Sequence, residues 1–249
     1  MLVNLGDRML SVVTLTKNEA SNIVAAINNA KLVTSSVLVI DSGSEDNTVE
    51  LAKKAGAKVI YRAWDDDFAA QRNFALEHLD NEWVLYLDAD ERLSDELISS
   101  IKIAVSEGTA ALYEMERRNS AFGRDFKYGV LSADSVKRLF PVKQGKWQGK
   151  VHESVKTELP TIKLNGYIQH YTYKDFDQYV YKMNMYSTIW AKDSKKKASW
   201  FKDILLRPIF AFFKMYVLEL GFLEGWLGFI LAANYGLYTL NKYAKLKIK

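Results

Sequence analysis

The chain of 249 residues is predicted to fold as an α/β protein with a mostly parallel central sheet and a helical C-terminal extension. Two observations carry the prediction. Up to residue 91, short apolar or β-branched runs alternate with helix-like stretches, and several of the runs close on a cluster of Asp, Asn, Ser or Gly. After Asp175 the strand signals stop and the pattern is helical to the end. The natural division is therefore residues 1–174 and 175–249.

The elements follow in order. Residues 10–16 form a β-branched strand, the Asn18–Asn22 cluster a turn, and a helical pattern runs on through Ala30. Residues 36–40 are a second strand closing on Asp41-Ser42-Gly43-Ser44, with a helix over 48–55; residues 58–61 are a third strand. Asp65-Asp66-Asp67 opens a helix over 68–79, where acidic side chains favour the positive end of the dipole. Residues 83–87 read as a fully buried strand ending at Asp88-Ala89-Asp90-Glu91. From Ala110 onward, aromatic and basic strand-like segments separated by Gly123, Gly129, Pro141, Gly145 and Gly149 predict hairpins that extend the sheet. The helical part is expected to break near Lys195 and again near Pro208.

Composition narrows the function. With 49% apolar and 26% charged residues, the chain can bury one large core plus an appendage. The absence of cysteine excludes disulfides, thiolate metal sites and a cysteine nucleophile, and fits a reducing compartment. No secretory signal is expected, because Met1–Met9 carries Asp7 and Arg8 and runs straight into a strand. The formal net charge of +4 is unevenly spread: from Lys195 on, Lys and Arg far outnumber Asp203, Glu219 and Glu224. These bases interleave with large apolar residues over a stretch longer than a nucleic-acid groove requires. An anionic membrane surface is the expected partner, and no nucleic acid. Residues 225–241 carry no charge but include Gly and Asn, and fall short of the roughly 20 apolar residues of a span. The expectation is helices lying in the membrane interface, with packing on the catalytic part or on a second copy as the alternative.

The acidic clusters fall where such sheets collect ligands, at the carboxyl ends of the strands. Asp88 and Asp90, spaced by one small residue after a buried strand, suit a divalent cation and a phosphorylated ligand: one carboxylate to the sugar and ribose side, the other to the metal. Asp41 can accept the imide hydrogen of a uracil ring above the turn that Gly43 permits; capping the helix at Thr48 is its other role, but Ser44 and Asp46 are also placed to cap. No Gly-rich phosphate loop is present, which argues against a kinase or dehydrogenase.

Taken together, Thr16-Lys17-Asn18-Glu19, Asp41-Ser42-Gly43-Ser44, Gln71-Arg72-Asn73, Leu87-Asp88-Ala89-Asp90-Glu91, Arg138-Leu139-Phe140 and Trp147 through Val151-His152-Glu153 resemble family 2 glycosyltransferases. Within that family the chain is most similar to the subgroup of lipopolysaccharide-core β-1,4-glucosyltransferases, over nearly its whole length. The resemblance implies a GT-A nucleotide-sugar-binding fold and an inverting reaction. It implies that Thr16 and Glu19 border the nucleotide, Asp41 reads the base, Arg72 approaches the nucleoside, and Asp88 and Asp90 form the metal signature for Mn2+ or Mg2+. Leu15-Thr16-Lys17 departs from the Pro-Thr-Tyr of many members, so the usual stacking aromatic is missing.

Inversion requires a base for the acceptor hydroxyl. Glu153 is the candidate, since the resemblance puts its segment over the donor sugar, whereas Glu91 is expected too near the phosphates. His152 either completes the metal shell, bonds the diphosphate, or is a satisfied structural histidine. Trp147 is a sugar platform or a core residue. His78 and His170 read as structural. The implied partners are a UDP-hexose donor and a glycolipid or envelope-glycan acceptor, met at the cytoplasmic face of the inner membrane by a peripheral enzyme. A nucleotidyltransferase and a non-catalytic, membrane-bound glycan-binding module are the alternatives.

Overall fold

A computed structural model describes residues 9–149 and 153–248. The chain divides into two compact units, one of residues 1–117 and 134–170, the other of residues 118–133 and 171–249. The second unit thus takes in a segment, 118–133, that the sequence boundary at 174 does not anticipate.

In the first unit, β1 (Leu10–Thr16), β2 (Val37–Asp41), β3 (Lys58–Tyr61) and β4 (Trp83–Tyr86) are parallel, in the order β3-β2-β1-β4. All residues of β2 and β4 are buried, as expected of parallel strands covered on both faces. Helix α1 (Ile23–Ala30) and α2 (Thr48–Lys54) supply Ile23, Ile27, Ala30 and Ala52 to one core, and α3 (Phe68–Leu76) supplies Ala69 and Ala75 to another. The sheet is mixed. Beyond β4 it continues through β8 (Asp134–Pro141) and β6 (Leu112–Ala121), each antiparallel to its neighbour, and then through β11 (Thr161–Tyr173) and β5 (Glu91–Leu93). The glycine spacing predicted this antiparallel extension as hairpins, but β4 with β8 and β11 with β5 pair across long stretches of sequence. Short β7 (Arg124–Asp125) pairs with β6, and β9 (Lys146–Gln148) with β10 (Ser154–Lys156) forms a separate ribbon.

Two elements follow the acidic turn without having been predicted: β5, and α4 (Asp95–Glu107). Helix α4 is capped by Ser94, whose hydroxyl accepts from the Leu97 N–H, and ends at Gly108 in the left-handed region. Its Leu97, Ile101, Ala104 and Val105 face the core.

The second unit contains α5 (Phe176–Asp193), α6 (Arg207–Phe213) and α7 (Gly225–Ile248), with π-helical turns over Trp200–Leu206 and Lys214–Leu218 on either side of α6. The predicted break near Lys195 is present; the one near Pro208 is not. Pro208 sits in the first turn of α6, where its missing N–H costs little, and the wider turns before it relieve the clash of its ring with the preceding turn. The chain breaks instead at Leu220, whose φ is 56°. Glu224, buried, pairs with Arg124 and accepts from the N–H groups of Lys127 and Tyr128 at 2.8 and 3.1 Å. Lys245 ties α7 to α5 through Asn184, Ser187 and Thr188.

Candidate active site

The site is assembled at the carboxyl ends of β1, β2 and β4. The loops after β1 and β2 are stitched together. Asn18 N–H donates to Ser44 Oγ (2.9 Å), Glu45 N–H to Asn18 Oδ1 (2.8 Å), Glu19 N–H to Thr48 Oγ1 (2.8 Å) and Ser42 N–H to the Thr16 carbonyl (2.9 Å). Asn18 holds a φ of 57°, a conformation Asn tolerates better than most residues. Asp41 is buried and does not cap α2; Asp46 accepts from the Thr48 N–H instead. Asp41 has partners of its own. Its carboxylate accepts from Gly43 N–H, Ser44 N–H and Ser44 Oγ, three of about four acceptor positions. Gly43, with φ at +91°, makes that turn possible. Glu19 accepts from the Asn22 amide, and Thr16 is buried at the strand end.

Helix α3 lies across this edge and presents three consecutive polar residues to three different loops. Gln71 donates to Ser42 Oγ and to the carbonyls of Arg62 and Ala63. Asn73 pairs with the backbone of Trp147 in both directions, at 2.8 and 2.9 Å. Between them Arg72, buried, bridges two carboxylates: Nη2 lies 3.3 Å from Asp88 Oδ1 and 3.2 Å from Glu153 Oε1. Its guanidinium lies over the Trp147 ring at 4.7 Å, and Trp147 packs edge-on against Tyr86. Trp147 is thus a core residue that carries the arginine. Asp67, last of the acidic run, caps α3 through the Ala70 N–H, while Asp65 pairs with Arg62.

At the end of β4 the acidic turn rests on a buried ion-pair network. Glu91 is completely buried and pairs with Arg138 at 2.6 Å and Arg117 at 3.3 Å; its Oε2 also accepts from the Asp88 N–H. It braces the turn from within the core. Arg138 Nη1 is shared with Asp88 Oδ2 at 2.9 Å, and Arg117 reaches Asp134 at 2.7 Å. Burial opposes ionisation of Asp88, but the Arg138, Arg72 and Arg117 guanidiniums outweigh it and hold the carboxyl well below the usual range. Burial disfavours the charge on Arg138 too, and Asp88 and Glu91 more than restore it.

Asp90 has a different environment. It meets no guanidinium among the described residues, and its Oδ2 lies 3.4 Å from His170 Nε2. The pairing of β11 with β5, which sets His170 opposite Glu91, brings that ring to the turn. His170, read as structural from sequence, thus stands beside Asp90, a neighbourhood that the linear motifs did not indicate. His152 lies outside the described residues.

The donor set fits a divalent cation shared with a ligand. Asp90 offers the hard oxygens that Mg2+ and Mn2+ take, with His170 Nε2 beside it, while both oxygens of Asp88 are engaged by Arg72 and Arg138. Among the described residues no three His, Asp or Glu side chains form a cage; an ion held by one or two carboxylates plus phosphate oxygens and water needs none. Four buried side-chain polar atoms lack a protein partner among the described residues, Thr16 Oγ1, Gln71 Oε1, Arg72 Nη1 and Trp147 Nε1. Every one belongs to this edge.

A parallel half-sheet with an Asp-x-Asp turn at one strand end, a buried Asp-Ser-Gly-Ser turn at another and an arginine-linked glutamate across from them fits a glycosyltransferase of the GT-A type. The chain belongs to glycosyl transferase family 2, whose model matches residues 11–154. It is 30% identical to an uncharacterized glycosyltransferase of Rickettsia typhi, over 96% of this chain and 87% of that protein. It is 29% identical to the lipopolysaccharide core biosynthesis glycosyltransferase LpsC of Rhizobium meliloti, over 84% and 82%. Among solved structures, TarS of S. aureus superposes with a TM-score of 0.46 at 14% identity, covering 96% of this chain and 55% of that one.

Proposed function

We propose that this glycosyltransferase inverts the anomeric centre while moving a hexose from a UDP-hexose, UDP-glucose first among them, onto a lipopolysaccharide core or related envelope glycan at the cytoplasmic face of the inner membrane. The similarity to LpsC supports the acceptor class. The observation that carries the reading is the division of labour between the two aspartates. Asp88, already compensated by Arg72 and Arg138, suits hydroxyls on the sugar and ribose side. Asp90, without a guanidinium, suits a cation, with His170 beside it.

Charge supports metal dependence. Asp88, Asp90, Glu91, Asp134 and Glu153 outnumber Arg72, Arg117 and Arg138 within the network, so the site repels a diphosphate unless a cation joins it. Mn2+ or Mg2+, when bound, supplies electrostatic stabilisation of the charge that develops on the departing diphosphate. The protein's own residues do the rest. Asp41 and the stitched loops hold the base, Thr16 and Glu19 border the nucleotide, and Arg72 fixes Glu153 through Oε1. Glu153 Oε2, which has no hydrogen bond among the described residues, takes the proton from the acceptor hydroxyl.

The test is turnover of a panel of nucleotide sugars with Mn2+, scored as released nucleotide with and without lipopolysaccharide-core acceptor. The expected result is UDP release that needs the cation and rises with acceptor. Glu153→Gln should bind donor normally and lose transfer by on the order of 10²–10⁴. Wild-type transfer in that variant removes Glu153 from the base role, and no turnover of any sugar with any cation defeats the reading.

A further inference from the structure

The helical unit carries an exposed apolar face that the transfer chemistry does not use. Along Trp200–Leu218, Phe201, Leu205, Ile209, Phe213 and Val217 are all exposed, each followed by an exposed neighbour, while Asp203 and Ala211 are buried. A four-residue repeat drifts around an α-helix, whose turn takes about 3.6 residues. The π-helical turns at both ends take more residues per turn, and their i→i+5 bonds, Ile204 N–H to the Ser199 carbonyl and Glu219 N–H to the Lys214 carbonyl, return the repeat to one side. The exposed apolar run continues past Leu220 through Leu223, Trp226 and Phe229, with Trp226 72% exposed. No single helix among the described residues is long and apolar enough to cross a membrane; Trp200–Leu218 and Gly221–Ile248 qualify only together, bent by 71°.

From this we infer that the face formed by Trp200–Leu218 and the start of α7 seats the protein in the interfacial layer of an anionic lipid bilayer, lying in it rather than spanning it. Charge selects the occupant. Lys195, Lys196 and Lys197 lead into the face, and Lys202 lies on it, all exposed. Its acids are compensated within the unit: Asp203 by Arg207 at 2.7 Å, Glu224 by Arg124, Glu219 by Lys214 at 3.7 Å. A second copy sets these lysines near their own kind, whereas anionic headgroups accept them while the aromatics enter the acyl boundary. The inference rests on the helical unit alone and stands or falls separately from the donor reading.

The experiment is flotation of the purified full chain with phosphatidylcholine vesicles, with and without phosphatidylglycerol, together with quenching of tryptophan fluorescence by brominated acyl chains. The expected result is binding at least tenfold stronger to the anionic vesicles, with quenching of the wild-type protein. Lys195→Gln/Lys196→Gln/Lys197→Gln should bind roughly a hundredfold more weakly, since each lysine near such a surface contributes about fivefold. Phe210→Glu/Trp226→Glu should not float, with helical circular dichroism and donor turnover unchanged. Should that variant unfold, quenching of the wild type decides alone. Three results overturn the inference: no flotation at either composition, no quenching, or a dimer in light scattering that Phe210→Glu/Trp226→Glu dissociates while vesicles remain unbound.

Discussion

Arg138→Met tests whether the acidic turn depends on the ion-pair network beneath it. Arg138 is buried and joins Glu91 at 2.6 Å and Asp88 at 2.9 Å through one nitrogen. Methionine fills similar volume and brings no charge. The substitution leaves Glu91, completely buried, with Arg117 at 3.3 Å as its remaining guanidinium, and Asp88 with Arg72 at 3.3 Å. Breaking a buried pair from one side costs about 3–5 kcal/mol, because the other charge stays desolvated. At about 2–4 °C per kcal/mol for a chain of this size, the first unit should melt roughly 10 °C lower. A second substitution separates this cause from lost packing. Adding Glu91→Gln to Arg138→Met removes the stranded charge and should recover part of the loss. Urea unfolding at pH 7.5, followed by tryptophan fluorescence, measures it. A double variant as unstable as Arg138→Met refutes the electrostatic reasoning.

Three further outcomes are expected. Asp90→Asn should lower cation-dependent donor turnover by on the order of 10²–10³ with little change in melting temperature, checked by nucleotide release and circular dichroism. Asp88, whose pKa is depressed, contributes stability above its unfolded pKa of about 3.9 and loses it as pH falls through its lower folded value. Asp88→Asn should accordingly trail wild type by a constant margin from pH 7 to 5, and the margin should close in stronger acid; chemical denaturation across that range reads it. Gly228→Ala should destabilise the helical unit by about 2 kcal/mol despite the better helix propensity, because the added Cβ falls 1.9 Å from the Gly221 carbonyl oxygen and the backbone must move. A thermal melt showing a neutral or stabilised Gly228→Ala contradicts that packing.

The parallel half of the sheet was legible because strands buried on both faces read as continuous apolar runs, and β1 begins and ends where the pattern placed it; the edge strand β3, only partly buried, also falls where its short β-branched run placed it. Strand β5 was not, being three residues long with Arg92 at its centre, held by the carbonyls of Ala89, Glu91 and Asn22 rather than by apolar alternation. Helix α4 did carry signals, Ser94 ahead of two acids and Gly108 behind, which an apolar pattern at 97, 101, 104 and 105 would have completed. In the site, linear motifs identified Asp88, Asp90, Arg72 and Glu153 as candidates. The network of Glu91, Arg117, Arg138 and Asp134 was out of reach, since it depends on the register of β6 against β8, which bulges between Tyr113 and Glu114. The same holds for His170, which meets Asp90 through strand pairing across some eighty positions of sequence.

Helix α3 shows where folding and function compete. Its buried positions are Ala69, Gln71, Arg72 and Ala75, so polar groups make up half of what it sinks into the protein. A helix turns through about 100° per residue, which fans Gln71, Arg72 and Asn73 toward the β2 loop, the Asp88 turn and the Trp147 strand in succession. Apolar packing would hold α3 more cheaply but would leave those loops independent of one another. Buried polar groups cost free energy wherever a partner is missing, and three of the four unpartnered atoms belong to Gln71, Arg72 and the tryptophan under the arginine. A cost concentrated on the residues that join the Asp88 turn to Glu153 is what a site acting on two substrates at once demands, and departures from local folding rules gather at such positions.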